Sequence, residues 1–274
     1  MKIMVTSDWH LDMMDDDKKD GSKFNPDIID EIIETVETEK VDLFLFGGDL
    51  ATETETFFNG LKLMARIPCR KLFIAGNNCM KSLQTNDLPH YSGELQARMR
   101  YYDIQLLDQA PLVLNGIGFV GNCGWYDGTF WWPENTAVCL DEMKERAQKY
   151  FGLDLGRNGF RHNLTYEQFF AMSWRKLLND LKLVHDLGAK RVVLGIHHVP
   201  SRDFLEQKPG DESWTQINFC MGSIKYQELF ARPDVVLGLV GHTHRPDIHL
   251  VGGTPVVNIS YSEDVPYRVF DVKA

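Results

Sequence analysis

Short apolar runs in this chain are repeatedly followed by polar side chains that bind metals well. The polar segments are Asp8–His10, Gly48–Asp49, Gly76–Asn77 and Gly241–His244. Each follows a run that we interpret as a β-strand. In open α/β sheets, ligands bind at the edge formed by the carboxyl ends of the strands. The pattern therefore predicts that segments far apart in the sequence meet at one edge of a folded sheet.

The first third of the chain alternates between strand-like and helix-like patterns. Predicted strands run from Lys2 to Thr6, from Val41 to Phe46 and, more weakly, from Lys71 to Ile74. Apolar residues recur at helical spacing between them, at Ile28, Ile29, Ile32, Ile33 and Val36 and then at Phe57, Phe58, Leu61 and Met64. Alternation of strands and helices is typical of parallel βαβ units, so we expect Asp8, Asp49 and Asn77 at the same sheet edge.

The remainder of the chain predicts a second set of strands. Residues 112–121 contain Asn115-Gly116 between apolar pieces, which indicates a hairpin. A helix with the apolar positions Phe170, Trp174, Leu177, Leu181 and Val184 is predicted to end near Gly188. Further strands are predicted at 191–196, 235–240, 255–259 and 268–272. This tally fits two sheets packed face to face, with helices outside.

Length and composition favour a single domain that binds a small ligand. The 274 residues show no repeat and no long linker, so we expect a single domain over residues 1–274. The net charge of −10 disfavours broad binding of nucleic acid, whereas a small anionic substrate remains compatible, because bound cations make a site locally positive. A signal peptide is not expected, since the first apolar run ends at the motif residue Asp8, and a membrane span is not expected, since no apolar run is long enough. Five cysteines without CxxC spacing favour the reducing cytoplasm.

The order of the motifs resembles the calcineurin-like metallophosphoesterase family, whose pattern is DxH, GD, GNH, a later His and GHxH. Any one of these motifs alone would be uninformative, but together they extend from Asp8 to His244. The resemblance implies an α/β fold of the αββα sandwich type, with two mixed sheets, and a site for two metal ions. Carboxylate and imidazole ligands without thiolates select Mn, Fe or Zn.

The resemblance also implies a role for each motif residue. Asp8, His10 and His244 would hold one ion, Asn77, His197 and His242 would hold the other, and Asp49 would bridge both. His197 and His198 compete for the later His position, because adjacent residues of a strand point to opposite faces. Family segments of this type favour His197, which leaves His198 as an outer partner of the site or a contact to substrate.

The implied reaction is hydrolysis of a phosphate ester by in-line attack of a metal-bridging hydroxide. The sequence departs from the family at Asn78, where a His usually contacts phosphate and assists the leaving group. Asn78 can donate a hydrogen bond to substrate but cannot act as a general acid. We therefore expect a phosphodiesterase rather than a broad phosphomonoesterase. A monoesterase, a pyrophosphohydrolase and a protein-binding scaffold without activity are the alternatives, and a nuclease is disfavoured by the acidic charge.

An aromatic and charged insertion around residues 122–165 fits the sheet pattern poorly. Either Trp125 and Tyr126 within it stack against a nucleobase or another apolar leaving group, or the aromatic cluster, with Trp131 and Trp132, covers the core. Arg202 and Arg245 lie near motif residues and either bind phosphate or form surface ion pairs. His90, His162 and His198 are candidates for the missing acid, although ordinary surface roles for His90 and His162 are more common.

Overall fold

Two mixed β-sheets form the centre of this protein, within the residues that the computed structural model describes. These are residues 1–12, 27–79, 96–132, 134, 136–154, 164–206, 208 and 212–274. The strands are β1 Lys2–Thr6, β2 Leu43–Phe46, β3 Arg70–Phe73, β4 Ile104–Leu106, β5 Leu112–Leu114, β6 Ile117–Asn122, β7 Arg191–Ile196, β8 Val235–Val240, β9 Ile248–Val251, β10 Thr254–Asn258 and β11 Arg268–Asp271. The helices are α1 Ile28–Glu39, α2 Thr54–Ala65, α3 Leu140–Asp154, α4 Tyr166–Asp186, α5 Glu212–Phe219 and α6 Gln227–Phe230.

Most neighbouring strands are parallel, and the antiparallel pairs lie at the sides of the sheets. The first sheet has the order β11-β1-β2-β3-β4, in which only β11 is antiparallel to its neighbour. The second sheet has the order β5-β6-β7-β8-β10-β9, in which β5 and β9 are the antiparallel strands. The carboxyl ends of β1, β2 and β3 therefore share one edge, and those of β7, β8 and β10 share another. A parallel bridge between Ser7 and Ser260 joins these two edges.

Alternation along the strands divides the apolar side chains between two layers. Ile3 and Val5 belong to a buried cluster between the sheets, together with residues of the facing sheet such as Phe119 and Leu239. Met4 points to the opposite face and belongs to the larger cluster that contains the buried residues of the helices. Successive residues of a strand point to opposite faces, so each sheet is covered on both sides. The predicted αββα sandwich is confirmed.

The longest helix begins and ends at recognisable sequence signals. Thr165 and Gln168 form a reciprocal capping box at the start of α4. Gly188 follows the end of the helix with a φ of 91°, which suits glycine, and the predicted stop near this residue is confirmed. No helix in the described part of the chain has both the length and the hydrophobicity required to cross a membrane.

Short and exposed elements are the ones that sequence patterns missed. The hairpin at Asn115-Gly116 is present, with both residues in the left-handed region. Strand β4 has three residues, too few for a periodic signal, and strand β9 exposes Ile248 and Leu250 at a sheet edge. Both strands were absent from the prediction. The insertion forms α3 and leads into α4, while residues 155–163 lie outside the described part.

The cluster between the sheets should dominate the stability of the fold. We expect Leu45→Ala to lower the free energy of unfolding by about 2–5 kcal/mol, because it removes a fully buried side chain between the sheets. The matched control is Leu250→Ala on β9, where the side chain is 72% exposed, and where a change within about 0.5 kcal/mol is expected. Equal effects of both variants in urea denaturation would contradict this assignment of the core.

Candidate metal centre

The motif segments are joined directly by backbone hydrogen bonds where the two sheets meet. The amide of Asp8 donates to the carbonyl of Gly48 at 2.8 Å, and the amide of His10 donates to that of Asp49 at 3.2 Å. The amide of Gly241 donates to the carbonyl of His197 at 3.0 Å. The strand ends therefore hold one another as well as their side chains.

Five of the candidate ligands have a left-handed backbone conformation, which is uncommon for residues other than glycine. They are Asp8, His10, Asp49, His242 and His244, with φ values between 45° and 70°. Such conformations cost free energy and persist only where surrounding contacts enforce them. Their concentration at the strand ends marks this region as a candidate functional site.

Two motif glycines are required because ligand atoms approach their backbone closely. A Cβ atom at residue 76 would lie 2.1 Å from Oδ1 of Asp49. At residue 48, where φ is 109°, a Cβ atom would lie 2.6 Å from Nδ1 of His197. Any larger residue at Gly48 or Gly76 would therefore displace a candidate ligand.

A first group of donors consists of Asp8, His10 and His244. Nε2 of His10 lies 3.0 Å from Nε2 of His244. Oδ1 of Asp8 lies 3.8 Å from the His10 nitrogen and 3.6 Å from the His244 nitrogen. Donor atoms that share one ion at bond lengths of about 2.1 Å are separated by roughly 3–4 Å. The group therefore has the spacing of a metal site, and it unites the residues predicted for the first ion.

A second group of donors consists of Asp49, His197 and His242, whose ligand atoms all lie within 4.8 Å of one another. Nε2 of His242 and Oδ1 of Asn77 are buried and make no hydrogen bond to any described residue. Buried polar atoms normally have a hydrogen-bond partner, so two buried atoms without one call for an explanation, and a bound metal ion would provide it. Asn77 is 8% exposed and follows β3, as predicted for a ligand of the second ion.

Asp49 faces both groups. Its Oδ2 lies 3.3 Å from Nε2 of His197 in the second group and 3.7 Å from Nε2 of His10 in the first. A carboxylate in this position can supply oxygen to two ions. Burial and spacing thus fit the bridging role that the resemblance implied for Asp49, and the donor chemistry of all seven residues fits two metal ions.

The electrostatic character of the centre favours cations. Burial would lower the pKa of His197, but the charges of Asp49 and Asp8 outweigh burial and raise it to about 9. Burial alone would raise the pKa values of both aspartates, but the charge of His197 and contacts with the other imidazoles hold them well below the usual range. Burial and the charge of His197 lower the pKa of His242 to about 3. Two buried carboxylates thus remain ionised beside neutral His242, an environment that binds positive charge.

Asn78 contacts Asp49 instead of extending towards solvent. Its backbone amide donates to Oδ1 of Asp49 at 2.8 Å, and its side-chain Nδ2 donates to Oδ2 at 2.7 Å. The residue is 7% exposed. Asn78 is therefore adjacent to the predicted bridge, while its contact with substrate stays a prediction.

His198 lies behind His242, outside both groups of donors. Its Nδ1 is 2.9 Å from the carbonyl of Cys123, and because a carbonyl only accepts, this nitrogen carries the ring proton. The His198 ring centre is 4.3 Å from that of His242 and 4.9 Å from that of Trp125. Burial, with the charges of His242 and His197, holds the His198 pKa well below its usual value. Of the two predicted roles, the geometry favours that of an outer partner.

The structure corrects the expectation that Trp125 and Tyr126 stack against substrate. Trp125 is fully buried, and its backbone amide donates to the hydroxyl of Tyr226 at 2.8 Å. Tyr126 is 1% exposed, and its hydroxyl donates to the carbonyl of Ala147 in α3 at 3.1 Å. Rings buried on both faces offer no surface to a base. The alternative, that these aromatic residues belong to the core, is the one observed.

The two candidate phosphate-binding arginines hold loops beside the centre. Arg202 donates to the carbonyls of Thr129 and Trp131 at 3.2 and 3.0 Å, and so ties the insertion to the segment after β7. Arg245 donates to the carbonyl of Leu205 at 3.0 Å and lies 3.6 Å from Glu206. Phosphate binding by either residue stays a prediction. His90 and His162 lie outside the described residues.

Two serines that contact the candidate ligand Asp8, and an asparagine that contacts the loop carrying His242 and His244, were missed in the sequence. The hydroxyls of Ser7 and Ser260 both donate to Oδ2 of Asp8, and Asn258 donates to Thr243 at 2.8 Å. Ser7 follows β1, Asn258 is the last residue of β10 and Ser260 follows β10, so a position at a strand end, which the motif residues share, was the only available signal. They lack the donor chemistry that identifies a ligand, so residue type gave no reason to select them.

Comparison with known proteins agrees with the geometry. A sequence model described as calcineurin-like phosphoesterase matches residues 1–246. The chain belongs to this family, whose name denotes proteins that act on phosphate esters. No curated protein sequence matches the chain significantly.

Solved structures show the same fold at low sequence identity. A phosphopantetheinyl hydrolase from Mycobacterium tuberculosis is 16% identical, with a TM-score of 0.61, over 94% of this chain and 88% of that one. A dimetal phosphatase from Danio rerio is 10% identical, with a TM-score of 0.56, over 98% and 91% of the two chains. At these identities the likeness establishes the fold alone.

Separate loss of the two ions is the direct test of the two donor groups. We expect His244→Ala to weaken the binding of one of two Mn²⁺ ions by more than about 100-fold, because removing a ligand lowers metal affinity more than removing an outer partner does. His242→Ala should weaken the other ion. His249→Ala on β9 is the control and should leave both unchanged, since His249 belongs to neither group. Calorimetric titration of the metal-free protein measures each affinity, and identical losses in all three variants would contradict the two-group geometry.

Proposed function

We propose that this protein is a dinuclear-metal-dependent phosphoesterase that prefers phosphodiesters to monoesters. The observation that carries the proposal is the position of Asp49, whose Oδ2 faces a nitrogen of each donor group. Family membership supports hydrolysis of a phosphate ester in general. Six of the seven predicted ligands lie in the two donor groups, and the buried Oδ1 of Asn77 has no hydrogen-bond partner among the described residues, which argues against a scaffold that has lost its metals.

The chain's residues would divide the work of holding the metals. Asp8, His10 and His244 hold the first ion, and the remaining ligands hold the second, with Asp49 shared. The second set comprises Asn77, His197 and His242. Mn, Fe or Zn ions bound there would activate water for in-line attack and neutralise charge on the phosphoryl group. The two buried carboxylates are held ionised without metal, as ligands must be, whereas His197, whose pKa is raised to about 9, would release its proton when an ion binds.

The preference for diesters rests on the lack of a general acid at Asn78, which contacts Asp49, and at His198, which packs against His242. Asn78 offers an amide, which does not titrate near neutral pH, and its Nδ2 is directed at Asp49. His198 donates its ring proton to the carbonyl of Cys123, and its low pKa keeps the other nitrogen unprotonated. A monoester with an alkoxide leaving group needs protonation most. A diester with a more acidic leaving group depends less on such a donor.

We further propose a small phosphorylated substrate and a cytoplasmic location. The net charge of −10 opposes extended binding to nucleic acid, whereas two cations make the centre locally attractive to one phosphate group. None of the five cysteines forms a disulfide, which accords with a reducing compartment.

Replacing the shared carboxylate tests the function as a whole. We expect Asp49→Asn to reduce hydrolysis of bis(p-nitrophenyl) phosphate to background while the fold is retained, because an amide cannot provide two anionic oxygens. Asp234→Asn is the control, since Asp234 pairs with His185 near the start of β8, away from the donor groups. Near-normal turnover of Asp49→Asn in saturating Mn²⁺ would refute the proposal.

Replacing Asn78 tests the preference for diesters. Asn78→His should raise the ratio of monoester to diester kcat/KM by roughly 10-fold or more, since general acid catalysis contributes about 100- to 10,000-fold. A series of phosphate monoesters with leaving groups of increasing pKa sharpens the test, because a new acid should help the poorest leaving groups most. Asn78→Gln keeps the amide and is the control. An unchanged ratio in Asn78→His would count against this account of specificity.

A further inference from the structure

The carboxyl end of β10 and the residues that follow it provide side chains that support the metal centre from outside the donor groups. Asn258 and Ser260 are 0% and 1% exposed. Both lie beyond residues 1–246, which the family model matches, and neither is a candidate ligand. Ser260 also pairs with Ser7 across the junction of the two sheets.

Ser260 is hydrogen-bonded to the oxygen of Asp8 that faces away from the other donors of the first group. Its hydroxyl donates to Oδ2 of Asp8 at 2.9 Å, and the hydroxyl of Ser7 donates to the same oxygen. The other oxygen, Oδ1, is the one near His10 and His244, at 3.8 and 3.6 Å. Two hydroxyl donors on Oδ2 thus restrain rotation of the carboxylate.

Asn258 in turn holds Ser260 and the loop that carries His242 and His244. Its Oδ1 accepts a hydrogen bond from the backbone amide of Ser260 at 3.0 Å. Its Nδ2 donates to the carbonyl of Gly241 at 3.3 Å and to the hydroxyl of Thr243 at 2.8 Å. Ser260 therefore has a fixed backbone position relative to this loop.

We propose that Ser260 is a positioning residue for Asp8, and through Asp8 for the first of the two metal ions. The inference rests on the proposed function, because it presumes that the donor groups bind metal. Outer partners of metal ligands typically account for about 10- to 100-fold in metal affinity, since they hold the ligand in its binding orientation. Asp8 belongs to the first donor group, so the effect of Ser260 is confined mainly to one ion.

Titration of the full chain with Mn²⁺ alone tests the proposal, with Ser260→Ala compared with a matched serine variant. Ser223 is fully buried and its hydroxyl donates to Oδ2 of Asp127 at 2.7 Å, so Ser223→Ala also removes a serine hydrogen bond to a carboxylate. Asp127 belongs to neither donor group. We expect Ser260→Ala to weaken the binding of one Mn²⁺ ion by about 10-fold or more. Ser223→Ala should leave the binding of both ions unchanged.

A structural effect on the fold alone would not be selective for one ion. Thermal unfolding of the metal-free variants measures any general loss of stability, and Ser7→Ala removes the second hydroxyl from the same oxygen as an independent test. If Ser260→Ala fails to fold, Ser7→Ala decides the question. A selective loss of affinity for one Mn²⁺ ion in Ser7→Ala supports restraint of Oδ2, and unchanged Mn²⁺ affinities in Ser7→Ala overturn it. If Ser260→Ala folds, unchanged Mn²⁺ affinities overturn the proposal. An equal loss of affinity for both ions in Ser260→Ala and in Ser223→Ala overturns it as well. A wild-type chain that binds no Mn²⁺ refutes the proposed function instead.

Discussion

The burial of two carboxylates at the junction of the sheets is the constraint on which the rest of the centre depends. Asp8 and Asp49 are 4% and 1% exposed, and ionised groups so deeply buried require compensating charge. Without metal, the protonated His197 supplies part of this charge, which accounts for its raised pKa. Two divalent ions would supply more. The carboxylates thus supply the negative charge that would attract cations, while neutral His242 and the amide of Asn77 would add ligand atoms without adding positive charge.

The fold supports this arrangement by holding the ends of strands from two sheets close together. Left-handed backbone at the candidate ligands costs about 1–3 kcal/mol per residue, and such conformations persist because backbone hydrogen bonds link the strand ends. Apolar packing between the sheets, from residues such as Ile3, Phe119 and Leu239, fixes the sheets against each other. Burial of apolar side chains between the sheets thus stabilises the strained backbone of the candidate ligands at the polar edge.

The insertion contributes support behind the ligands. Trp125 packs against His198, and His198 packs against the candidate ligand His242. Because Tyr226 also fixes the backbone of Trp125, a chain of buried contacts extends from the insertion to the metal centre. The neutral and aromatic character of this layer is consistent with a centre that lacks a general acid there. In the proposed function, selectivity for the leaving group follows from the lack of a titratable proton on Asn78.

Local sequence patterns determined the strands, the helix faces and the order of the candidate ligands. Apolar periodicity identified β1, β7, β8 and the hairpin, and each motif residue was placed at the correct strand end. Only the tertiary structure decided that His197 rather than His198 faces Asp49, that Trp125 and Tyr126 are buried, and that Ser260 holds Asp8. Periodicity records which face of an element is apolar, whereas contacts between distant segments depend on how the two sheets pack. Ser260 and Asp8 are separated by 252 positions, and no local pattern encodes their meeting.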